Sequence, residues 1–557
     1  MIQRRIGLLF ALFFCLLGVA GARAAYFATV KGGSLKQAAV TQQVSLDDVP
    51  APRGTIVDRE GVELAVSGAA DNIFATPYQV ENPEATAHKL APLLKKPEAE
   101  ITQTIVTAEG KHSGFVYLAR GVPSTRAQKV ADLKLTGIGL EPTTNRTYPR
   151  DWLASQVLGS VNPDGKGIAG LEYRFDDVLH GVDGKRRIVK DGGAEQEPLS
   201  IKDTKVAEPG KRLQLSLDAA IQARTEEVLG NVGATYKPKG ATAIVMDPRT
   251  GELLAVANWP RIDANAPLSA SPSYSHDDRA VSHIYEPGST FKAVTVAGAL
   301  SEKAVTPDTK FDLPPTITLY DRTVHESHRT APVNFTTAQI LAQSSNVGAI
   351  KIGLAEGQKN FAKWVDRFGF GRPTGVDLPG ESSGIVPPLA KYSGTSMINL
   401  PIGQGLSVTP MQMATAYAAI ANGGTLVRPH IVNRIGSKAV GGLRTKRVIS
   451  GSTALQLRKM LEGVFDTTGT ASEVKIPGYK LAGKTGTSQK IDPVTGEYSD
   501  SRYVASFVGF APALHPKLLV SVMVDEPQSD IYGGTVAAPA FGDIMSFALK
   551  YLKIPPN

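Results

Sequence analysis

Cysteine is nearly absent from this chain of 557 residues, whose only one is Cys15, inside an apolar run near the N-terminus. Its absence excludes disulfide bonds, a thiolate nucleophile and a cysteine-based metal site from everything that follows this run. Folded regions can do without disulfides when they are large enough to bury their own cores, and at this length we expect at least two domains.

Dense basic clusters, zinc-ligand spacings and DNA-binding patterns are lacking as well. The formal net charge is +8, but compact basic runs such as Lys185–Arg187 and Lys95–Lys96 are brief. Short runs of this kind are typical of solvated surfaces, so we expect no nucleic-acid partner. We also expect no metal site and no cofactor.

The N-terminus carries the one long apolar run. Residues Ile6–Ala22 contain no charge and follow Arg4 and Arg5. As a helix they would span about 25 Å, at the lower end for crossing a bilayer core. The arginines should stay inside, which predicts a cytoplasmic tail at 1–5, a transmembrane anchor at 6–22 and export of the rest. A cleaved signal peptide remains the alternative, because Ala22-Arg23-Ala24 fits the small-x-small cleavage pattern.

Hydrophobic patterning predicts an α+β, multidomain chain with a first region at 30–205 and a second at 212–552. The first mixes short strands, such as Ile56–Val57, with helices at Ala85–Leu94 and near Ser124–Leu133. In the second, strands lie near both sequence ends and helices lie between them, which predicts one antiparallel sheet flanked by helices. The predicted strands are 213–217, 241–246, 252–257, 479–488, 504–510 and 518–524, and the predicted helices are 219–229, 289–302, 338–355, 410–421 and 538–551.

Three short motifs in the second region can carry chemistry together. Ser289 and Lys292 lie three residues apart at the predicted start of a helix, so a neutral lysine could take the serine proton. Ser344 and Asn346 follow about 55 residues later; Ser344 could relay a proton, and Asn346 could hydrogen-bond a substrate amide.

The third motif is Lys484-Thr485-Gly486-Thr487, on a predicted strand. Lys484 could bind a carboxylate and lower the pKa of Lys292, and Gly486 would let a ligand backbone approach. The N–H groups of Thr487 and Ser289 could form an oxyanion hole. Each motif alone is common in proteins, but their order and spacing together predict a serine acyltransferase.

With these motifs the chain resembles the class B penicillin-binding proteins, which are peptidoglycan D,D-transpeptidases. The resemblance covers nearly the full length. It extends to Arg53-Gly54, Asp58-Arg59, Arg146, Gly170-Leu-Glu172 and Asp183-Gly184 in the first region, and to Met246–Ala255, Gly403-Gln-Gly405, Thr409-Pro410 and Asn422-Gly-Gly424 in the second.

The resemblance implies an elongated mixed α/β pedestal, similar to a dimerisation domain, at 30–205 and a transpeptidase domain at 212–552. It implies a bacterial cell-membrane protein with a single span and its catalytic domain on the extracytoplasmic side. Ser289 would attack the D-Ala–D-Ala bond of a stem peptide, and an amine of a second stem would resolve the acyl-enzyme. β-Lactams would acylate the same serine. The implied site residues are Ser289, Lys292, Ser344, Asn346, Lys484 and Thr487 for catalysis, and Thr485, Gly486 and Tyr532 for substrate binding.

Two features favour the septal, cell-division type of the family. The second motif reads Ser-x-Asn, and the segment Tyr532–Phe541 is similar to that of division transpeptidases. The resemblance then implies a glycan-polymerising membrane protein and division proteins as partners. Two other functions stay open at this point, a β-lactamase-like acyl hydrolase and a division scaffold or sensor that keeps the fold.

Overall fold

The computed structural model describes residues 2–31, 33, 44–190, 198–266, 268–327 and 330–556. It divides into two compact units that interleave along the sequence. The first unit comprises 1–52, 69–145 and 181–210, and the second comprises 53–68, 146–180 and 211–557. Two segments within 30–205, namely 53–68 and 146–180, thus pack with the second unit. The linear division at 205–212 stays a prediction.

The apolar N-terminal run forms one helix, Ile2–Thr29. Within Gln3–Thr29 a window of 18 residues has a mean hydropathy of 2.1, and none of that window is buried. In the described part of the chain it is the one helix that is long and apolar enough to cross a membrane.

The first unit contains two sheets and a small core. One is a three-stranded antiparallel sheet, in which Gly184–Lys190 lies between Val44–Val49 and Pro198–Lys205. In the other sheet, Ala70–Ala75 of strand Glu63–Ala75 pairs with strand Val116–Pro123. Three helices pack with this sheet: Pro83–Leu94, Glu98–Gly110 and Ser124–Asp132. Their apolar faces and the sheet form a buried core, which includes Ile73, Leu90, Ile105, Leu118 and Val130. Strand Ile138–Thr147 pairs with Glu63–Ala75.

The second unit is built on a five-stranded sheet in which every neighbouring pair is antiparallel. Its strands, in spatial order, are Leu253–Trp259, Gly240–Met246, Leu518–Asp525, Tyr498–Ala511 and Ala482–Ile491. Strands from both parts of the sequence meet at the pairing of 240–246 with 518–525, which confirms the predicted sheet. Three of the strands are buried on both faces or nearly so, because helices cover the sheet on each side.

One hydrophobic core lies between the sheet and the two helices Ala219–Tyr236 and Gly533–Tyr551. A second hydrophobic core is formed largely by the other helices of the unit. They include Lys292–Ser301, Thr337–Ala342, Asn346–Glu356, Gln358–Arg367, Pro410–Ala421 and Gly451–Glu462. Shorter helices lie at Ser155–Leu158, Gly170–Arg174, Asp176–Leu179, Arg279–Ser282 and Ser396–Asn399.

Small strands complete the second unit. Four of them pair each with the next, in the order Ile56–Val57, Leu213–Leu215, Val432–Ile435 and Lys438–Ala439. The others form three separate pairs: Lys310–Leu313 with Val333–Thr336, Thr316–Leu319 with Arg322–His325, and Thr425–Val427 with Thr445–Arg447.

A buried ion network joins segments of the second unit that are distant in sequence. Glu172 accepts from Arg53 Nε at 2.5 Å and from Arg146 Nε at 2.7 Å, while Arg53 Nη1 donates to Asp176 at 2.6 Å. Glu172 is fully buried, so each guanidinium compensates its desolvation. Three of the residues that carried the resemblance, Arg53, Arg146 and Glu172, therefore connect 53–68 with 146–180 inside the second unit.

Candidate active site

Ser289 lies on a 3-10 turn, Gly288–Phe291, that leads directly into helix Lys292–Ser301. Gly288 has a φ of +53°, and its N–H donates to Gly403 O at 3.0 Å. A Cβ on Gly403 would lie 2.2 Å from Gly288 O, so only glycine permits this approach. The turn therefore fixes Ser289 at the start of a helix, as predicted, and leaves it partly exposed.

Lys292 is the buried partner of this turn, with 1% of its surface exposed. Its Nζ donates to Ser344 O at 2.7 Å, to Asn346 Oδ1 at 2.7 Å and to Ser344 Oγ at 3.3 Å. None of these three bonds goes to Ser289. The structure thus brings the first and second motifs together through the lysine amine.

Ser344 occupies a break between helices Thr337–Ala342 and Asn346–Glu356. Its φ is +59°, a left-handed conformation that ends the first helix. The single helix predicted at 338–355 is therefore wrong, because this residue turns the chain towards Lys292. Ser345 Oγ then caps the second helix by accepting from Gly348 N at 2.9 Å.

Glu326 holds this turn in place, and the sequence motifs did not identify it. Its carboxylate accepts from Asn346 N at 3.0 Å, Val347 N at 3.2 Å and Ser345 Oγ. A carboxylate at a helix N-terminus is stabilised by the helix dipole and by the free N–H groups there. The Asn346 side chain is fixed from the same segment, since its Nδ2 donates to His325 O at 3.0 Å.

The third motif lies on strand Ala482–Ile491, the edge strand of the five-stranded sheet. Lys484 is completely buried, and its Nζ donates to Thr485 O and Thr485 Oγ1, each at 3.2 Å. Thr485 Oγ1 also shares a hydrogen bond of 2.7 Å with Thr470.

Gly486 has a packing role that the sequence did not predict. A Cβ there would lie 2.4 Å from Ser506 Oγ, 2.9 Å from Thr290 Cγ2 and 3.1 Å from Pro287 O. The space in front of this glycine is filled by the turn that carries Ser289. Gly486 therefore allows the turn to pack on the strand, and the approach of a ligand backbone at this position stays a prediction.

Thr487 faces the same turn. Its carbonyl oxygen lies 3.1 Å from the place that a Cβ on Gly288 would occupy. Because the N–H and C=O of one strand residue point to the same side, the Thr487 N–H also faces the turn of Ser289. Its Oγ1 accepts from Gly533 N at 3.0 Å, next to Tyr532, which is 45% exposed.

Glu286, three residues before Ser289, connects the turn to the edge strand. Its carboxylate accepts from Gly405 N at 2.9 Å and from Tyr498 OH at 3.3 Å, and its carbonyl accepts from Ser488 Oγ at 2.6 Å. Burial raises the pKa of this carboxyl.

Burial also sets the protonation of both lysines. It lowers the pKa of Lys292 to about 7, against a smaller opposing effect of Glu326. The pKa of Lys484 is held well below its ordinary value, first by burial and then by the charge of Lys292. Desolvation is therefore the main cause for Lys292, and the repulsion between the two amines disfavours the charged form of both.

Within the described ranges, His, Cys, Asp and Glu side chains do not gather in threes as a metal site would require. The described site consists of a partly exposed serine, a buried amine with a pKa of about 7, and a second buried amine on the adjacent strand. Such a set can transfer an acyl group through the serine.

Comparison with protein families gives two matches. The penicillin binding protein transpeptidase domain matches residues 241–546, and the penicillin-binding protein dimerisation domain matches residues 48–215.

Among similar proteins is Stage V sporulation protein D of Bacillus subtilis, 35% identical, with 91% of this chain and 79% of that protein covered. Peptidoglycan D,D-transpeptidase FtsI of Escherichia coli is 34% identical, with 95% and 87% covered. The crystal structure of penicillin binding protein 3 from Mycobacterium tuberculosis with aztreonam has a TM-score of 0.73 and 30% identity, with 92% of this chain and 98% of that chain covered.

The matched domains lie in the order that the sequence predicted, and the relatives are similar over nearly the whole of this chain. The chain therefore belongs to the class B penicillin-binding proteins, of the FtsI type.

Proposed function

We propose that this protein is a peptidoglycan D,D-transpeptidase that works through an acyl-enzyme on Ser289. The observation that carries the proposal is the position of the Lys292 amine. It is buried, has a pKa of about 7 and is bound by Ser344 and Asn346, one helical turn from a partly exposed serine. The activity named for FtsI supports the same conclusion.

Acylation begins with proton transfer from Ser289 to the neutral Lys292 amine. As the proton leaves, Ser289 Oγ forms a bond to the carbonyl carbon between the two D-alanines of a stem peptide. The C–N bond then breaks, and Lys292 returns the proton to the leaving amine through Ser344 Oγ, which lies 3.3 Å from Nζ. The products are an ester on Ser289 and free D-alanine.

Two backbone donors stabilise the negative charge that develops on the carbonyl oxygen. The N–H groups of Ser289 and Thr487 lie on facing segments, because the 3-10 turn packs on the edge strand at Gly288 and Gly486. Removing one such donor typically slows catalysis by about 100- to 1,000-fold.

The edge strand binds the donor peptide in this proposal. Lys484, with Thr485 and Thr487 on either side of Gly486, offers a cation and hydroxyl groups to the terminal carboxylate. Asn346 orients the peptide amide, and Tyr532 covers the outer part of the cleft. An amine of a second stem peptide then attacks the ester carbonyl, a new C–N bond forms as the ester C–O bond breaks, and the proton lost by the amine passes to Ser289 Oγ. A β-lactam would acylate Ser289 by the same first step.

We place the activity in septal wall synthesis, outside the cytoplasmic membrane. The apolar helix Ile2–Thr29 would anchor the chain with Arg4 and Arg5 inside, following the positive-inside rule. A glycan-polymerising membrane protein and division proteins would be the partners, and the similarity to FtsI supports this assignment.

The test uses the purified full chain in a non-ionic detergent, a donor stem peptide ending in D-Ala–D-Ala, and a labelled amine acceptor. We expect labelled product in proportion to released D-alanine, and neither product from Ser289→Ala. Release of D-alanine without label at every amine concentration would instead identify an acyl hydrolase. Equal activity of Ser289→Ala would overturn the proposed nucleophile, and an inert wild-type chain would favour a scaffold.

A further inference from the structure

A cavity of about 300 Å³ lies in the second unit, and the active-site side chains do not line it. Five of its lining residues are cations and none is an acid: Arg367, Arg372, Arg428, Arg444 and Lys446. We call this cavity the cationic pocket. Its volume is at the lower end for small-molecule sites.

Three different segments bring these cations together. Strands Thr425–Val427 and Thr445–Arg447 pair so that Val427 lies opposite Thr445 and Leu426 opposite Lys446. The pairing continues where Arg428 N donates to Arg444 O at 3.0 Å. The C-terminal end of helix Gln358–Arg367 and the loop that follows it also line the pocket.

The acids on the neighbouring segments are already engaged. Asp366 forms an ion pair of 3.0 Å with Arg372. Glu381 accepts from Thr374 and from Gly375 N. Glu302, which pairs with Lys363, also attracts Arg367, but among the described residues no ion pair within 4 Å reaches Arg367, Arg428, Arg444 or Lys446. Like charges that line one pocket repel each other, and an anion between them would reduce that repulsion.

Arg367 gives a second, independent indication. Its Nε is buried from solvent and has no hydrogen-bond partner among the described residues. The rest of its guanidinium is held in place, 4.9 Å from the centre of the Trp364 ring and 3.4 Å from Arg447 O through Nη2. A buried N–H donor without an acceptor is costly, and a bound oxygen would satisfy it.

The other guanidinium groups also keep donors available. Arg428 uses its Nε for Gly375 O, while neither Arg444 nor Lys446 makes a side-chain hydrogen bond within the described residues. Guanidinium groups match the oxygens of phosphate in pairs. Four cations in so small a volume are balanced best by a group with several negative charges, and Phe368, Pro373 and Leu426 supply apolar wall for an organic remainder.

We propose that the cationic pocket binds an organic phosphate, either a monoester or a diphosphate. The pocket shares helix Pro410–Ala421 with the active site, because Gln412 and Thr415 line it and Tyr417 OH donates to Thr290 O at 2.7 Å. A phosphate in the pocket therefore contacts a helix that also holds the turn of Ser289. The ligand is either a soluble phosphate or the headgroup of a lipid, and the two arms of the test separate these sources.

Calorimetric titration of the full chain in a non-ionic detergent provides the test. One arm uses inorganic pyrophosphate, and the other uses the same micelles with added phosphatidic acid. The pocket variant is Arg444→Gln with Lys446→Gln, since both side chains are exposed and their replacement leaves no buried group unpaired. The control of equal charge is Arg434→Gln with Lys438→Gln, two exposed residues on other strands.

We expect at least one arm to bind the wild type and the control alike, and the pocket variant at least about tenfold more weakly. Binding in the pyrophosphate arm identifies a soluble phosphate, and binding in the lipid arm alone identifies a headgroup. Labelling by penicillin should be equal in all three proteins, which shows that they are folded. The proposal is overturned if neither arm binds, or if the pocket variant binds as tightly as the control.

Discussion

Lys292 Nζ donates a hydrogen bond of 2.7 Å to Oδ1 of Asn346, although 54 positions separate the two residues in the chain. The second bond of 2.7 Å, to Ser344 O, holds the amine at the same turn. Two oxygen acceptors favour the ammonium form, whereas complete burial favours the neutral amine. Burial prevails, since the pKa of Lys292 falls to about 7. Near neutral pH both the neutral amine, which can accept a proton, and the ammonium form, which can donate one, are therefore populated.

This pKa predicts an acid limb in the pH profile of acylation. Lys292 accepts a proton only when neutral, so the second-order rate constant for labelled penicillin should fall as the pH drops below about 7. Stopped-flow measurement between pH 5 and 9 in one mixed buffer would show it. A profile that is flat through neutrality would exclude Lys292 as the base.

Glu326→Gln should move this limb to lower pH. The carboxylate of Glu326 raises the pKa of Lys292, so removing its charge lets that pKa fall further. Glutamine keeps one acceptor for the N–H groups of Asn346 and Val347, which limits the damage to the turn. Glu381→Gln is the matched control, because Glu381 also accepts from backbone N–H groups but does not act on Lys292. Equal midpoints for the two variants would contradict the assignment.

The burial of Lys484 predicts an alkaline limb in the pH profile of acylation, but only for a β-lactam that carries a free carboxylate. Its pKa is far below the ordinary value in the free protein, and a bound carboxylate would favour the charged form. A carboxylate therefore binds more tightly to the protonated amine, and its binding should weaken as the pH rises through the pKa of Lys484. Acylation by penicillin should show this limb, and acylation by its methyl ester should lack it. The same limb with both compounds would show that Lys484 does not bind the carboxylate.

Much of the site was predictable because its chemistry is local in sequence. Ser289 and Lys292 share one turn, and helix Pro410–Ala421 has the predicted bounds, with Thr409 and Gln412 forming a capping box. The hairpin strands at 240–246 and 253–259 differ from the prediction by only one or two residues. In each case local patterning and long-range packing favour the same structure.

The rest depends on contacts that no local pattern encodes. Glu326 lies 20 positions before Asn346, and only the folded chain brings its carboxylate to the helix start. Helix Gly533–Tyr551 begins five residues before the predicted Ala538, because Gly533 packs on the edge strand and its N–H donates to Thr487. Residues 53–68 likewise belong to the second unit through a buried ion pair between Arg53 and Glu172. No local sequence pattern indicates that these two residues are partners.

That ion network predicts a large stability effect away from the active site. Glu172→Ala should leave Arg53 and Arg146 buried without a counter-charge and lower the free energy of unfolding by about 3–5 kcal/mol. Glu227→Ala, which breaks an exposed pair with Arg224 in the same unit, should cost less than about 1 kcal/mol. Urea unfolding of the full chain would compare them. Similar losses for both variants would contradict the structural role of Glu172.

Mass spectrometry can show directly whether Ser289 is the acylated residue. The mass of the intact protein is measured before and after incubation with a penicillin, and the modified peptide is then sequenced. We expect a persistent increase by the mass of one penicillin, located on Ser289 and absent from Ser289→Ala. An adduct on another residue, or one lost rapidly with hydrolysis of the antibiotic, would contradict it.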